Sequence, residues 1–389
     1  MEHNMSSLQI PSSRKAIVQD ATGKPFFKDN VPLPATLEGG TALIKTSVIA
    51  LNPSDLKMGA AFPAPGAIVG NDFAGTVVAL GEGASDIKPG LAVGDLVCGA
   101  LHGSMPDFPN QGSFSDYVLA HAGILIRLRS HLHSDPARSL KATQLSRLTS
   151  EQAATLGTAL ATLTLAFWGG GKDSLCLEGT PDNPLQTIPR PPVLVYGGST
   201  ATGTIATQLL RLSGYDPVVT CSPHNSSLCQ SRGASVVFDY RSPDVGTAIR
   251  RHTGSRMRYA LDCISDSQSV ETCFAGLSRV CGRYVSLEFV PDEMLALRRA
   301  VDAGFVLGFE ITGKGCHLGG GYDKEEDPSK LDLGIRSFEM FERLLEEGRL
   351  LTHPVQKILE PSGLRGVLAG LDLLKTGTVS GKKLIVSMA

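Results

Sequence analysis

Hydrophobic positions follow two different rhythms along the chain. From 14 to about 128, short runs such as TALIKTSV (41–48) and FAGTVVAL (73–80) are broken by Gly and Pro, the pattern of a β-rich region with many tight turns. Thr149 with Gln152 three residues on forms a capping-box pattern that opens a long apolar helix, predicted over 151–168. Residues 169–192 hold four Gly and five Pro with little periodicity and read as a surface excursion or linker.

Beyond 192 the pattern alternates. VLVYG (193–197) reads as a strand, 204–213 as a helix with Ile205, Leu209 and Leu212 on one face, and Gly214 as its left-handed cap. Apolar runs at 218–221, 235–238, 259–263, 284–287 and 305–309 bring the strands to six. Strands alternating with helical segments predict an α/β chain with a doubly wound parallel sheet. A Gly-rich, charged stretch at 313–330 is followed by helices predicted at 335–347 and 362–375 and a last strand at 383–386. With six strands already placed, this tail is expected to return to the N-terminal lobe. The expected domains are therefore 1–160 with 314–389, and 161–313.

Composition narrows the function classes. The chain has 389 residues, 42% hydrophobic and 19% charged, with a net charge of -2. Such a balance provides no global basic field for nucleic acid or an anionic membrane. The start lacks a basic and apolar leader pattern, and no apolar run approaches the roughly 18 residues of a membrane span. A cytoplasmic protein is expected. Eight Cys without a C-x-x-C pair read as buried thiols of a reducing compartment.

The most informative motif is Gly198, Ser199, Thr200, Ala201, Thr202 and Gly203 between a predicted strand and helix, where backbone N–H groups and the helix end can cradle a pyrophosphate. Thr200 stands where the strict dinucleotide fingerprint has its second Gly. After the second strand come Ser222, Pro223, His224 and Asn225. A carboxylate there would bind a ribose 2′-hydroxyl and repel a 2′-phosphate, so its absence points to NADPH. Tyr240, after the third strand, is a further candidate for the adenosine side. The Cys and His ligands of a zinc oxidoreductase are missing: Cys98 is the only Cys before 176, Gly70-Asn71-Asp72 carries no imidazole or thiolate, and His131 and His133 lack a third partner nearby. Metal-free chemistry is expected.

Three stretches, LNPSDLK (51–57), GNDFAGTV (70–77) and 193–203, together resemble the zinc-free medium-chain dehydrogenase/reductase superfamily. The resemblance extends from about 15 to 386 and implies a Rossmann nucleotide-binding domain with a β-rich GroES-like catalytic domain. The wording of 197–203, 220–225 and 238–240 is most similar to the trans-acting enoyl reductases of fungal polyketide synthases and their peptide synthetase hybrids. What that implies is NADPH-dependent reduction of the α,β double bond of a polyketide thioester on an acyl carrier domain, by a monomer. The alternatives are an NADPH quinone or enone reductase on free small molecules, and a redox-silent NADPH-binding scaffold.

Carried over by position, the resemblance places Ser199 to Thr202 on the cofactor phosphates. Ser222 to Asn225 and Tyr240 would surround the 2′-phosphate, and Leu287 and Glu288 lie beside the nicotinamide half. Val379 and Ser380 would close over the cofactor, while Ser54 and Lys57 face the nicotinamide. Thr158, Gly308, Phe309, Glu310, Ile311 and Thr312 would line an acyl tunnel. Lys57 is the first candidate for the oxyanion or ribose contact and Thr158 the second; the Tyr that some enoyl-thioester reductases carry after this motif is replaced by no aromatic closer than Phe62. An acidic carrier domain would seek a basic surface, for which Arg127, Arg129, Arg138, Lys141 and Arg147 are candidates, with Asp135 the one acid among them.

Overall fold

Six short strands pair in parallel in the computed structural model of the chain, which describes residues 11–128 and 148–388. Pro192–Tyr196, Asp216–Cys221, Val236–Asp239, Tyr259–Asp262, Gly282–Ser286 and Val301–Phe305 are joined by helices. Across the sheet the chain order is third, second, first, fourth, fifth, sixth. The central first strand, PVLVY, is buried at every position, as a strand covered on both faces must be. The order reverses between the first and fourth strands, where a doubly wound sheet opens its ligand crevice at the carboxyl ends.

This sheet belongs to one of two compact units, 158–354 with 379–382. The other comprises 1–157, 355–378 and 383–389. In the latter, Thr41–Ala50 pairs antiparallel with Asp72–Leu80, Tyr117–His121 and Lys383–Ser387 within a seven-stranded sheet. Ser13–Gln19 and Pro25–Pro32 form a separate hairpin. The inward face, with Ile44, Phe73, Val77, Val97 and Val118, is fully buried.

Several expected boundaries move. The sixth strand is Val301–Phe305, not 305–309: it is an edge strand with only Val301 and Phe305 buried, so its apolar signal is weak. The stronger run after it ends in a single tight turn, Gly308–Thr312, because the Glu310 carboxylate accepts from the Leu307 N–H at 3.3 Å. The long helix expected at 151–168 is two, Ser150–Ala153 and Gly157–Trp168. The capping box at Thr149 is present, with Gln152 N–H donating to Thr149 Oγ1 at 3.2 Å and Thr149 N–H to Gln152 Oε1 at 3.1 Å.

Residues 314–354 pack with the unit of the parallel sheet rather than with the N-terminal one, which only 355–378 and 383–389 rejoin. The helix there is Pro328–Glu346, seven residues longer at its start than periodicity suggests, because Asp327 caps it and Pro328 occupies the first turn. Its buried Phe341 lies 6.5 Å from the Trp168 ring, and His353 Nδ1 is 2.9 Å from Thr204 Oγ1. Of the eight cysteines, all free, Cys176 and Cys263 are half-buried and Cys281 is exposed, so the expectation of buried thiols is met by the other five.

Candidate functional site: the nucleotide loop and the Asn52 anchor

The strand Pro192–Tyr196 ends in Gly197, held at φ +80°, and the chain then turns into the helix Ala201–Leu212. Two glycines are required by contact. A Cβ on Gly198 would stand 2.0 Å from Val219 Cγ1, and one on Gly203 would stand 2.3 Å from the Gly197 carbonyl oxygen. Thr200, the departure from the strict fingerprint, is the helix N-cap: its hydroxyl accepts from the Gly203 N–H at 2.9 Å. Ser199, Thr200, Ala201 and Thr202 are half-buried around the positive end of a 12-residue helix. Packed glycines, a capped helix start and hydroxyl donors fit a dinucleotide pyrophosphate.

At the end of the second strand, Ser222 to Asn225 form a turn that reaches 379–382. Ser380 Oγ lies 3.0 Å from His224 Nε2 and accepts from Asn225 Nδ2 at 2.9 Å. Gly381 is needed beside them, since its Cβ would come within 2.5 Å of Asn225 Oδ1. Ser222 Oγ is 3.5 Å from the Tyr240 hydroxyl. The fold thus gathers Ser222, His224, Asn225, Tyr240 and Ser380, which sequence reasoning had placed together. It missed Arg241, whose guanidinium lies 5.9 Å from the Tyr240 ring centre and holds Asp239 through two 3.0 Å hydrogen bonds. The nearby carboxylate is thereby neutralised; the signal was an Arg immediately after the singled-out Tyr.

Leu287 and Glu288 follow the fifth strand. Leu287 N–H donates to the Asp262 carbonyl at 3.1 Å, and Glu288 accepts from the Tyr322 hydroxyl. Burial first, then the Glu288 charge, push the Tyr322 phenol above its usual range, so it stays a donor.

Gly308–Thr312 turns inward. Phe309 and Ile311 are core residues, and Glu310 pairs with Lys330 and, at 3.5 Å, with Lys324. Lys324 also reaches Asp173 Oδ2 at 2.8 Å and sits 4.1 Å above the Phe305 ring. Of the six residues expected to line a tunnel, only Glu310 borders the adjacent cavity of about 570 Å³, whose wall includes Lys324, Lys330, Phe289 and Phe305. Thr158 is half-buried in the first turn of Gly157–Trp168.

In the N-terminal unit, Asn52 opens the helix Pro53–Ala61, and its backbone N–H donates to Asp55 Oδ2 at 2.6 Å. The Asn52 amide donates to Asp72 Oδ2 at 2.9 Å and its carbonyl accepts from Lys383 Nζ at 2.8 Å. Asn71 donates to Ser54 Oγ at 2.9 Å while accepting from the Gly103 N–H at 3.1 Å. Ser54 is half-buried, and Lys57 projects from the exposed side of the helix. Burial, then the Asp72 charge, raise the Asp55 carboxyl to about 8, whereas burial lowers His102 to about 4, leaving it neutral. No three His, Cys, Asp or Glu side chains form a metal-ligand set among the described residues. His131, His133, Arg129, Arg138, Lys141 and Arg147 lie outside the described residues; Arg127, described, donates to the Gly90 carbonyl.

Residues 38–130 match the alcohol dehydrogenase GroES-like domain and 201–332 the domain described as zinc-binding dehydrogenase. The enoyl thioester reductase from Candida tropicalis, solved in a mutant form, shares the fold at TM-score 0.64, with 16% identity over 96% of this chain and 99% of that one. With the two domain matches in one chain, the protein is a medium-chain dehydrogenase/reductase. It is 45% identical to the trans-enoyl reductase TwmE of Talaromyces wortmannii, covering 96% of this chain and 97% of the relative. To the trans-enoyl reductase poxP of Penicillium oxalicum it is 44% identical, over 98% and 94%. The chain belongs to the trans-enoyl reductase family, a group of oxidoreductases that work with a nicotinamide cofactor.

Proposed function

We propose that this enoyl reductase uses NADPH to saturate the α,β double bond of a polyketide chain carried as a thioester on an acyl carrier domain of a polyketide synthase. The observation that carries the coenzyme choice is the cluster of Ser222, His224, Asn225, Tyr240 and Ser380, whose nearest acid, Asp239, is already held by Arg241. The coenzyme, when bound, supplies a hydride for the β carbon. Ser199 to Thr202 would receive its diphosphate, Val379 and Ser380 would flank the adenosine side, and Leu287, Glu288 and Ser54 would orient the nicotinamide half.

Hydride addition leaves negative charge on the thioester carbonyl oxygen, and the resulting enolate takes a proton at the α carbon, delivered by water or by Lys57. Lys57, exposed on its helix, is the candidate donor to that oxygen or to the cofactor ribose, and Thr158 the second; a well-placed donor is worth about 3 to 4 kcal/mol of barrier. Gly308 to Thr312 would shape the acyl site through Glu310. Eight free thiols support a reducing, cytoplasmic location. A monomer is supported by the outer edge of the sixth strand, where Gly304 is packed against the Lys172 carbonyl, so that a Cβ would come within 2.3 Å of it.

The test is coenzyme oxidation with a panel of enoyl pantetheine thioesters, with NADPH and NADH, with and without a carrier domain. NADPH-specific turnover enhanced by the carrier is expected. Turnover of free quinones alone, or equal use of NADH, overturns the reading.

A further inference from the structure

Between 173 and 313 the chain contains twelve Arg and no Lys. Arg is the cation favoured at protein interfaces, where Lys is depleted. Most of these arginines sit at one end of the parallel sheet. Arg256 and Arg258 precede the fourth strand, Arg279 the fifth, and Arg298 and Arg299 the sixth, while Arg250, Arg251 and His252 close the helix Val245–His252.

Hydrogen bonds weld these segments into one surface. Ser278 N–H donates to the Met257 carbonyl and Arg283 N–H to the Arg258 carbonyl, both at 2.7 Å. Arg298 donates to the carbonyls of Phe274, Leu277 and Ser278. Burial first, and the Arg250 charge second, lower its pKa, which sets Arg250 beside it. Cations in a last helical turn answer the helix dipole, and that accounts for Arg250 and Arg251. It does not account for Arg256, Arg258, Arg279 and Arg299, which are exposed, lie beyond helix ends and make no ion pair with any described residue. Two large apolar side chains stand exposed in the same surface, Val280 at 69% and Leu297 at 65%. Cations around apolar contacts suit a protein surface better than a phosphate backbone.

This surface lies at the amino ends of the strands, whereas the nucleotide loops leave their carboxyl ends. Strands of four to six residues separate the two by roughly 13 to 20 Å.

We propose that this arginine face docks an acidic surface on the body of the synthase, so that the enzyme is held by one end of its sheet while the carrier domain visits the other. The inference rests on the function proposed above.

The test uses the full chain, a triple variant, Arg256→Glu, Arg258→Glu and Arg279→Glu, and a charge-matched control, Lys24→Glu, Lys28→Glu and Lys375→Glu. Probes are the purified synthase lacking its carrier domain, the excised carrier domain, duplex DNA and anionic lipid vesicles. The triple variant should bind the carrier-less synthase about tenfold or more weakly, with the control binding as the native chain does. All three should reduce a free enoyl pantetheine thioester at equal rates. Unchanged synthase binding by the triple variant overturns the proposal, as does a loss confined to the excised carrier domain, to DNA or to vesicles. Failure of the enoyl reductase reading appears separately, as absent turnover of the free thioester by the native chain.

Discussion

Lys383 and Asp72, 311 residues apart, form an ion pair in the N-terminal unit with side chains only 3% and 0% exposed. The last strand of the chain thereby anchors Asn52, and with it the helix that carries Ser54 and Lys57. Removing one partner of a buried pair strands the other charge, at a cost of about 3 to 5 kcal/mol. Lys383→Met should therefore lower the urea midpoint of this unit sharply and reduce enoyl turnover with it. Equal stability of the variant and the native chain would show that Asp72 finds another partner.

Asp55, beside that pair, gives a pH signature. Its folded value of about 8 exceeds the usual aspartate range because of burial, so the folded chain keeps a proton that the unfolded chain releases above about pH 4. Its contribution to stability is complete below pH 4 and is lost as pH rises through 8, at up to about 1.4 kcal/mol per unit. Asp55→Asn should flatten the decline in denaturant midpoint between pH 5 and 8. The same slope in both proteins would assign the decline elsewhere.

How much of this was readable in advance depended on how local the cause was. The Gly-rich turn at 197–203 could be read because strand, turn and helix are contiguous, and the Ser222 to Asn225 turn because it ends a strand. Thr200 as a helix cap was a local signal that the Gly-based fingerprint obscured. The sixth strand was misplaced because VDAGF buries only its two ends. The role of Lys383 and the inward turn of Glu310 toward Lys324 and Lys330 are tertiary pairings with no periodicity to announce them. Residues 314–354 were assigned to the wrong unit for a related reason: six strands looked sufficient, yet Phe338 and Phe341 needed a core to enter.

The two packed glycines of the loop should respond differently to the same change. In Gly198→Ala the new methyl meets a side chain, Val219, and overpacking of this kind costs about 1 to 3 kcal/mol. Adding Val219→Ala should recover part of the loss, making the double variant more stable than the sum of the singles. In Gly203→Ala the methyl meets the Gly197 backbone, and Val219→Ala should restore nothing. Denaturation midpoints and NADPH titration of the three single and two double variants decide this; equal rescue of both glycine variants would remove the contact from the explanation.

On the proposed reading, coenzyme choice should turn at Ser222. Its hydroxyl lies 3.5 Å from that of Tyr240, in a turn where the neighbouring Asp239 is tied to Arg241. A carboxylate at 222 would accept from a free ribose 2′-hydroxyl but repel a 2′-phosphate, and the Nε and Nη2 of Arg241 are already engaged by Asp239. Ser222→Asp should thus lower kcat/KM for NADPH about tenfold or more while leaving or raising that for NADH, with the loss expressed in KM. Arg241→Ala should weaken NADPH in the same direction, by freeing the Asp239 charge. Both are measured with one enoyl pantetheine thioester at saturation, and a ratio of the two coenzymes that moves in neither variant would place the discriminating contact outside this turn.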